Sequence, residues 1–588
     1  MKTHLTDSQH SGQELDSRSS QGKTAQLHYV FPNTLACYTE LAAAEEGQLD
    51  KAEQQSELDF AVIGSGFGGS VAALRLAEKG YQVRVFEKGR RFAAGDFPKT
   101  NWHMKRWLWL PLLNFLGPFK ISLFRHVTVF SGVGVGGGSL VYANTLPVPK
   151  DSFFAAPTWA HLGDWQTALA PFYRKALQML GATTNKHLTR TDTLMRDVAT
   201  DIGLDKEFSP TEVAIYFGQP GKTVADPYFG GDGPDRTGCI HCGACMTGCR
   251  HGAKNTLDRN YLYLAEKRGA VIQPNSEVVT VKPRHGGGYE LSVKQRLGWL
   301  RFRRTTVYAK QVVFSGGVLG TVNLLLKMQA DRRCLPNLSP HLGHFVRTNS
   351  ESIIGIMSHD QSYDFSQGIA ISSIITADEH SHFEPVRYGA GSGAFRLLMA
   401  PHAPGKTFWQ RMGAMARAVT KSPWGWVKAV FINDFSKQTL ILLYMRSLDD
   451  TLSFARRHSP WLGGLKTMGS NVGIHGTKPM AFLPEATALA HRIAAKINGV
   501  VCNVFPESLL GIASTAHLLG GCCMGTSAAD GVIDTHHRVF GYEGLYVVDG
   551  SAVSATPGVN PSLTITALAE RAMDLIPPKT EARPQRGQ

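Results

Sequence analysis

The sequence predicts an α/β protein with a parallel, doubly wound sheet and a second α+β domain. An apolar strand is followed by three glycines at G-x-G-x-x-G spacing, a helix, a second strand and an acidic residue. In chain order these parts are residues 60–63, then Gly64, Gly66 and Gly69, residues 70–79, residues 82–86, and Glu87. The glycine spacing alone is a weak signal, but the complete series is typical of a Rossmann-like dinucleotide-binding unit.

Each part of this unit has a physical role. Gly64 permits the tight turn, Gly66 lets backbone N–H groups approach a pyrophosphate, and Gly69 allows the helix to pack closely on the strand. The helix N-terminus favours an anion, and Glu87 can accept a hydrogen bond from a ribose hydroxyl. These residues do not distinguish NAD from FAD.

Further strand–turn–helix patterns are spread along the chain. They are two short strands within residues 271–281, a strand, glycine turn and helix within 311–328, a strand at 544–551 and a helix at 562–575. Because strands from distant segments can join one parallel sheet, we expect a single doubly wound sheet. The stretch from 350 to 500 shows short β-like runs at 368–376 and 440–446 and one clear helix at 484–497.

These patterns divide the chain into predicted segments. Residues 1–57 form a largely disordered N-terminal tail, in which residues 27–41 can dock on the fold. The nucleotide-binding domain has a first part at 58–345, with an inserted Cys-rich segment at 239–255, and a C-terminal part at 506–576. A substrate-binding domain lies between them at 346–505, and a disordered tail follows at 577–588.

Composition narrows the class of protein. The chain has 588 residues, so two domains or one large composite domain are expected. Its net charge is +14, but the basic residues are dispersed and no nucleic-acid module is present, so we exclude nucleic acid as a partner. The polar N-terminus lacks a signal-peptide pattern, and nine cysteines with four in one cluster do not form a secreted disulfide framework. A cytoplasmic location is expected.

Two tryptophan-rich segments lie among basic residues, at 102–124 and 408–435. No apolar run is long enough for a membrane-spanning helix. Tryptophan beside cationic residues suits peripheral contact with a membrane surface. A pocket wall or a buried lid explains the same segments equally well.

A second glycine-rich loop carries five glycines between Gly132 and Gly138. Such a loop can wrap backbone donors around a pyrophosphate or a flavin ring. With the first fingerprint and two C-terminal segments, it resembles the glucose–methanol–choline (GMC) oxidoreductases. The C-terminal segments are Thr515-Ala-His517-Leu-Leu-Gly-Gly521 and Val548-Asp549-Gly550 with Pro557-Gly-Val-Asn560-Pro561. The sequences of these C-terminal segments are most similar to those of the bacterial cholesterol oxidase branch.

This resemblance spans about residues 58–575 and implies an enzyme that oxidises alcohols with FAD. It implies a GMC-type FAD-binding domain and cofactor contacts at Gly64, Gly66, Gly69, Glu87, Gly134, Gly136, Gly137, Gly138, Ser139, Asn144, Val279, Asp549, Gly550, Asn560 and Pro561. The family often has an Asn-Gly pair after the second loop, whereas this chain reads Tyr142-Ala143-Asn144. Which backbone group meets the flavin edge therefore stays open.

Three residues are candidates for catalysis. Oxidation of an alcohol needs a base or acceptor at the hydroxyl and a group that holds the oxygen, roles that we assign to His517 and Asn560. His536 and His537 follow a turn, so we expect them to face solvent. Glu384 is the best positional match for the carboxylate that moves a proton during double-bond isomerisation in cholesterol oxidases. A surface glutamate is the alternative.

The four clustered cysteines, Cys239, Cys242, Cys245 and Cys249, have C-x2-C-x2-C-x3-C spacing. This spacing resembles a bacterial ferredoxin run and predicts an iron–sulfur cluster. No proline follows Cys249 and no second run supplies a remote ligand. A zinc knot and an unmetallated loop therefore remain open, and Cys522 and Cys523 are expected to pack rather than react.

Three functions follow from these features. The first is oxidation of a bulky apolar alcohol, a 3β-hydroxysterol being favoured, with oxygen as electron acceptor. The second is a dehydrogenase of another alcohol that passes electrons through the cysteine cluster to an electron carrier. The third is a flavin electron-transfer protein without an alcohol substrate, which would not need His517 and Asn560.

Overall fold

The first sheet is built around the predicted strand–glycine–helix unit. In the computed structural model, which describes residues 57–448, 450–458, 466–473 and 478–580, the strands of three or more residues are β1 Leu58–Ile63, β2 Val83–Phe86, β3 Phe119–Leu123, β4 Val127–Gly132, β5 Phe208–Pro210, β6 Val271–Gln273, β7 Ser276–Pro283, β8 Tyr289–Arg296, β9 Phe302–Phe314, β10 Ser352–Ser358, β11 Ser373–Thr376, β12 Ser381–Val386, β13 Met399–Pro401, β14 Thr439–Arg446, β15 Thr451–His458, β16 Lys466–Val472, β17 Gly499–Val504, β18 Ala513–Thr515 and β19 Leu545–Val547. The helices of seven or more residues are α1 Phe67–Glu78, α2 Trp165–Met179, α3 Arg190–Asp201, α4 Tyr261–Lys267, α5 Gly317–Gln329, α6 Phe408–Lys421, α7 Pro423–Val430, α8 Pro484–Lys496 and α9 Ser562–Asp574.

Five strands of this sheet are parallel, in the order β6-β2-β1-β9-β19. Every residue of β1 is buried, as expected for a strand covered on both faces. The long strand β9 pairs with β1 and β19 near its end, while its first part carries the antiparallel hairpin β7–β8. The predicted α/β fold class is confirmed, and β19 returns the C-terminal segment to the same sheet.

Helices α1, α2, α4 and α9 meet on one side of this sheet around a single buried carboxylate. Glu570 of α9 is fully buried and accepts two hydrogen bonds of 2.8 Å from the guanidinium of Arg75 in α1. It also accepts the hydroxyl of Tyr261 in α4 at 2.7 Å and lies 3.2 Å from Nζ of Lys175 in α2. The carboxylate therefore ties together helices that are far apart in sequence.

The second sheet has seven antiparallel strands in the order β13-β17-β10-β14-β12-β11-β5. Helix α8 covers one face through a core that includes Ile354, Phe383 and Leu442. The opposite face carries Ile353, Val386, Ile441 and Leu443. This sheet has far more strand than the sequence predicted, and β5 joins it from outside the predicted segment 346–505.

Several predicted elements differ at their ends. Helix α1 begins at Phe67, three residues before the predicted start at 70, and α9 and α8 each end one residue earlier than predicted. Residues 1–56 and 581–588 of the predicted tails lie outside the described residues. The predicted disordered tail also includes residues 577–580, and there the backbone N–H of Lys579 donates a 2.9 Å hydrogen bond to the carbonyl oxygen of Lys79.

Candidate active site

One large cavity lies at the carboxyl ends of the parallel strands and extends to the second sheet. Its volume is about 610 Å³. The wall begins at Gly64 and Glu87, continues past the second glycine loop, and ends among apolar side chains of the second sheet. In open α/β sheets this edge is the usual place for a bound nucleotide.

Three helices begin at this cavity. The N-terminal residues of α1, α5 and α9 line it, and none of the three helices has a side-chain cap or an acidic residue in its first turn. The first turns and the positive ends of three helix dipoles therefore face one space. This arrangement suits an anionic ligand such as the pyrophosphate of a dinucleotide.

The first glycine loop touches both the second glycine loop and the backbone at Ser315, and side chains on the glycines would keep these segments apart. Gly64 has φ +102°, and a Cβ at this position would lie 2.3 Å from the carbonyl oxygen of Ser315. A Cβ on Gly137, which has φ +52°, would lie 2.7 Å from Cα of Gly66. A Cβ on Gly66 itself would meet nothing within 4 Å, because Gly66 faces the open cavity.

Glu87 lies at the end of β2 and is 6% exposed. Its carboxylate accepts the hydroxyl of Ser65 at 2.8 Å and the backbone N–H of Gly89 at 2.8 Å. Because each carboxylate oxygen has two lone pairs, Glu87 can still accept a hydrogen bond from a ligand in the cavity.

Polar atoms that lack partners point to a ligand farther along the wall. Neither amide atom of Asn144 has a hydrogen-bond partner among the described residues, although the residue is fully buried and lines the cavity. Val279 lies at an irregularity in the β7–β8 pairing and also lines the cavity. Asp549 accepts hydrogen bonds from the hydroxyl of Thr321 and the backbone N–H of Ser551, while burial raises the pKa of its carboxyl group.

The structure separates the predicted cofactor residues into two groups. Those that line the cavity are Gly64, Gly66, Glu87, Gly137, Gly138, Asn144, Val279, Asp549, Gly550, Asn560 and Pro561. Gly69, Gly134, Gly136 and Ser139 lie behind this wall. Ser139, for example, donates to the carbonyl of Gly136 at 2.7 Å and accepts the backbone N–H of Leu257 at 3.0 Å, so its hydroxyl supports the loop.

His517 lies beside the cavity and is paired with a carboxylate that the sequence did not reveal. Nδ1 of His517 lies 2.7 Å from Oε2 of Glu351, and the backbone N–H of Ala516 donates to Oε1 of the same carboxylate at 2.5 Å. Burial lowers the pKa of His517, but the charges of Glu351 and Glu384 outweigh it and raise the pKa above its ordinary value. The bond at Nδ1 leaves Nε2 for the cavity.

Asn560 lines the cavity, and its Oδ1 has no hydrogen-bond partner in the part of the chain that the structure describes. Glu384 is fully buried on β12, on the same face as the cavity-lining Val386. Its Oε1 lies 2.9 Å from Nε2 of His382, and its Oε2 has no partner within the described residues. Glu384 is therefore not a surface glutamate.

The far side of the cavity is apolar. Its side chains come from the inner face of the second sheet and from the segments around it, namely Ile353, Ile371, Val386, Tyr388, Phe395, Met399, Ile441, Leu443 and Val504. The sequence predicts none of these residues as part of the site, because apolar side chains on a buried face form no recognisable motif. A space with polar groups at one end and hydrocarbon at the other suits a bulky apolar molecule with one hydroxyl.

His536 and His537, both expected to face solvent, have different surroundings. His536 is exposed, as predicted. The prediction for His537 was wrong, because this residue is fully buried and its Nδ1 lies 2.7 Å from the carbonyl oxygen of Val547. Burial lowers the pKa of His537 to about 4, so it is a neutral structural imidazole.

The four cysteines of the predicted cluster line one small apolar cavity of about 20 Å³. Burial raises the pKa of Cys239 to about 11 and of Cys245 to about 12, so both are thiols at neutral pH. Within the described residues, no three or more His, Cys, Asp or Glu side chains are arranged to hold a metal ion. As they stand, these thiols do not form a ready ligand set.

Comparison with known proteins identifies the class of this one. Models described as GMC oxidoreductase match residues 233–341 and 485–569, and one described as NAD(P)-binding Rossmann-like domain matches residues 62–98. The chain is 45% identical to a cholesterol oxidase of Mycobacterium tuberculosis over 90% of this chain and 93% of that protein. It is 43% identical to a cholesterol oxidase of Acinetobacter baumannii over 89% of this chain and 95% of that protein.

The chain belongs to the GMC oxidoreductase family, and its cofactor is FAD. A pyridoxine 4-oxidase structure from Mesorbium loti has the same fold, with a TM-score of 0.58 at 15% identity, covering 88% of this chain and 99% of that chain. The cavity fits FAD, since three helix N-termini that could hold a pyrophosphate line it and the unpartnered amide of Asn144 lies along the wall.

Proposed function

We propose that this enzyme oxidises the hydroxyl of a bulky apolar alcohol, with a 3β-hydroxysterol such as cholesterol as the favoured substrate. The observation that carries the proposal is the cavity itself, in which His517 and Asn560 stand at the nucleotide end and an apolar wall lies beyond them. The relatives at 45% and 43% identity, which are cholesterol oxidases, support the choice of a sterol.

Bound FAD supplies the acceptor for the hydride that leaves the carbinol carbon. Nε2 of His517, in its neutral form, takes the hydroxyl proton, and the Glu351 carboxylate stabilises the imidazolium that results. The amide of Asn560 hydrogen-bonds the same hydroxyl and fixes its direction. The apolar wall excludes water and holds the ring system.

Glu384 is proposed as the base that moves a proton during double-bond isomerisation of the ketone. Its partnerless Oε2 and its place on the cavity-facing side of β12 support this role. Oxygen is the proposed electron acceptor, because the two relatives described above are oxidases.

We propose that the enzyme takes its substrate from a membrane surface. Helices α6 and α7 expose Trp409 and Trp424 by 79% and 76%, beside the exposed cations Arg417 and Lys428. Trp107 of the other tryptophan-rich segment is instead buried and stacks on Phe119, so only part of that segment suits a surface role. No helix in the described part of the chain has the length and apolarity to cross a bilayer.

The end of α7 lies next to the cavity wall. Nη1 of Arg396 donates to the carbonyl of Ile432, just beyond α7, at 2.9 Å. Arg396 is flanked by Phe395, which lines the cavity, and by Leu397 and Leu398, which are 66% and 42% exposed. This continuity from surface to cavity supports a route for a lipid.

A second candidate role belongs to the cysteine cavity. Met246, within the cluster, lines the large cavity, and Nζ of Lys254 joins the carbonyls of Cys245 and Tyr142 at 2.9 and 2.8 Å. An iron–sulfur cluster here would require the thiols to lose their protons and close around the metal, and it would then lie near enough to the large cavity to serve as an electron exit. Elemental analysis tests it: iron present in the purified protein, absent from Cys245→Ser and retained by Cys334→Ser supports a cluster, whereas no iron in the wild type removes this role.

The main proposal is tested by turnover of cholesterol with purified enzyme. We expect ketone and hydrogen peroxide in equal amounts, loss of turnover in His517→Ala, and normal turnover in His536→Ala, whose histidine is exposed outside the cavity. Failure of the wild type to oxidise any sterol would reject the substrate, and full activity of His517→Ala would reject the site.

A further inference from the structure

A second carboxyl group, Glu507, lies behind the His517–Glu351 pair. It is 1% exposed and sits in a π-helical turn, Pro506–Leu510, a type of turn that is often found at functional sites. The backbone N–H of Ser514 donates to its Oε1 at 3.1 Å, and the side-chain amide of Asn503 donates to its Oε2. Glu351 accepts the backbone N–H of Ala516, two residues beyond Ser514, so both carboxyl groups bind the same short stretch of chain.

The polar contacts of Glu507 continue outward to a helix at the surface. Oδ1 of Asn503 lies 3.1 Å from Nδ1 of His402, and Nε2 of His402 lies 3.0 Å from the hydroxyl of Thr487 in α8. Burial lowers the pKa of His402 to about 4, so this imidazole is neutral and carries no charge to balance Glu507.

The remaining charged neighbours do not neutralise Glu507 either. Arg411 of α6 approaches the same turn, but its guanidinium donates to the carbonyls of Leu509 and Gly405 rather than to the carboxyl group. The imidazole of His517 is bonded to Glu351. Two carboxyl groups thus share one buried region with one histidine that already has a carboxylate partner.

We propose that Glu507 is a positioning residue that carries a proton behind Glu351, so that the His517–Glu351 pair faces a neutral acid rather than a second negative charge. Two adjacent buried carboxyl groups cannot both ionise without a large cost, and the imidazole of His517 contacts Glu351 rather than Glu507. The inference rests on the proposed role of His517 at the substrate hydroxyl.

The proposal predicts that a second ionisation affects the pH dependence of kcat/KM. Burial, together with the charge of Glu351, raises the pKa of Glu507 to about 8. Once Glu507 loses its proton, its charge increases the affinity of His517 for a proton, and less of the free imidazole is present to act as base. The wild-type pH profile of kcat/KM should therefore show an inflection near this pH in addition to the one from His517.

Glu507→Gln tests the proposal, because glutamine has the shape of the neutral acid but no proton to lose. We expect kcat/KM below pH 7 to match the wild type and the alkaline inflection to disappear. Glu485→Gln, which replaces an exposed carboxylate of α8, serves as the control and should keep the inflection. An inflection that persists in Glu507→Gln overturns the proposal.

A readout without substrate separates this inference from the proposed function. Infrared difference spectra of the FAD-loaded enzyme between pH 6 and pH 10 should show loss of a protonated carboxyl band, and Glu507→Gln should lack that change. If Glu507→Gln does not fold, Asn503→Leu decides, because loss of the donated N–H should move the band's titration to higher pH. A titration unchanged in the variant that folds overturns the inference, whether or not a sterol is the substrate.

Discussion

At the scale of single residues, the proposed chemistry depends on an imidazole held at one nitrogen so that the other is free. Glu351 provides this restraint, at 2.7 Å from Nδ1 of His517. The sequence motif around His517 predicts that histidine, but Glu351 lies 166 positions away and no motif marks it. Such a partner can only be found once the fold brings the segments together.

Glu351→Gln should lower the pKa of His517, because the charge that favours the imidazolium is removed. His517 acts as a base only when unprotonated, so activity falls as the pH drops through its raised pKa. The acid limb of kcat/KM should therefore move to lower pH in the variant, and kcat should fall by about 10²–10⁴-fold as orientation is lost. Rapid-mixing assays from pH 5 to 9 measure both, and an unmoved acid limb contradicts the pairing.

Glu384→Gln should separate the two proposed steps. The buried carboxylate would lose its capacity to accept a proton, while His517 and Asn560 remain intact. We expect continued oxidation of cholesterol, with the unisomerised ketone as the product in chromatographic analysis. An isomerised product formed at the wild-type rate would assign the proton transfer to another group.

At the scale of elements, the parallel sheet was predictable and the antiparallel sheet largely was not. Apolar residues around a glycine turn predict strands β1 and β2. Strand β12 carries His382, Glu384 and Pro385, which interrupt the usual strand pattern, and His382 and Glu384 share a face with the cavity-lining Val386. The sequence pattern fails where the strand carries buried polar residues beside the cavity.

The helix packing around Glu570 makes a stability prediction. Glu570→Gln should lower the free energy of unfolding by about 3–5 kcal/mol, because Arg75 would lose its buried carboxylate and keep only the exposed Glu78 as a partner. Burial raises the pKa of Glu570, but Arg75 outweighs it and lowers the pKa. The deficit should thus be complete at neutral pH and shrink as the pH falls through the lowered pKa.

Urea unfolding curves at two pH values test this prediction. Glu78→Gln is the matched control, since Glu78 is the exposed partner of the same arginine, and its effect should stay within about 0.5 kcal/mol. Equal losses in the two variants would show that the buried carboxylate does not hold the helices together.

At the scale of the whole molecule, one cavity joins a nucleotide-binding sheet to an apolar sheet, and an exposed apolar face lies beside it. The tryptophan pattern of residues 408–435 left a membrane anchor and a buried lid open, because amphipathic residues look alike in both. In the structure Trp409 and Trp424 are exposed, whereas Trp426 is half-buried and packs against a core cluster.

A double variant, Trp409→Ser with Trp424→Ser, should bind anionic vesicles less tightly, because interfacial tryptophans and nearby cations act together. Turnover of cholesterol in vesicles should fall more than turnover of cholesterol in detergent micelles. Val271→Thr, which changes an exposed side chain on the first sheet, is the control. Equal vesicle binding by the double variant and the control would remove the membrane role from this surface.

The most direct test of the central claim is an anaerobic titration of the purified enzyme with cholesterol, followed by flavin absorbance. The account predicts that the oxidised flavin band bleaches with one equivalent of sterol per flavin, and that short alcohols, which cannot fill the apolar part of the cavity, leave it unchanged. A flavin that no sterol reduces, while another alcohol does, would contradict the account.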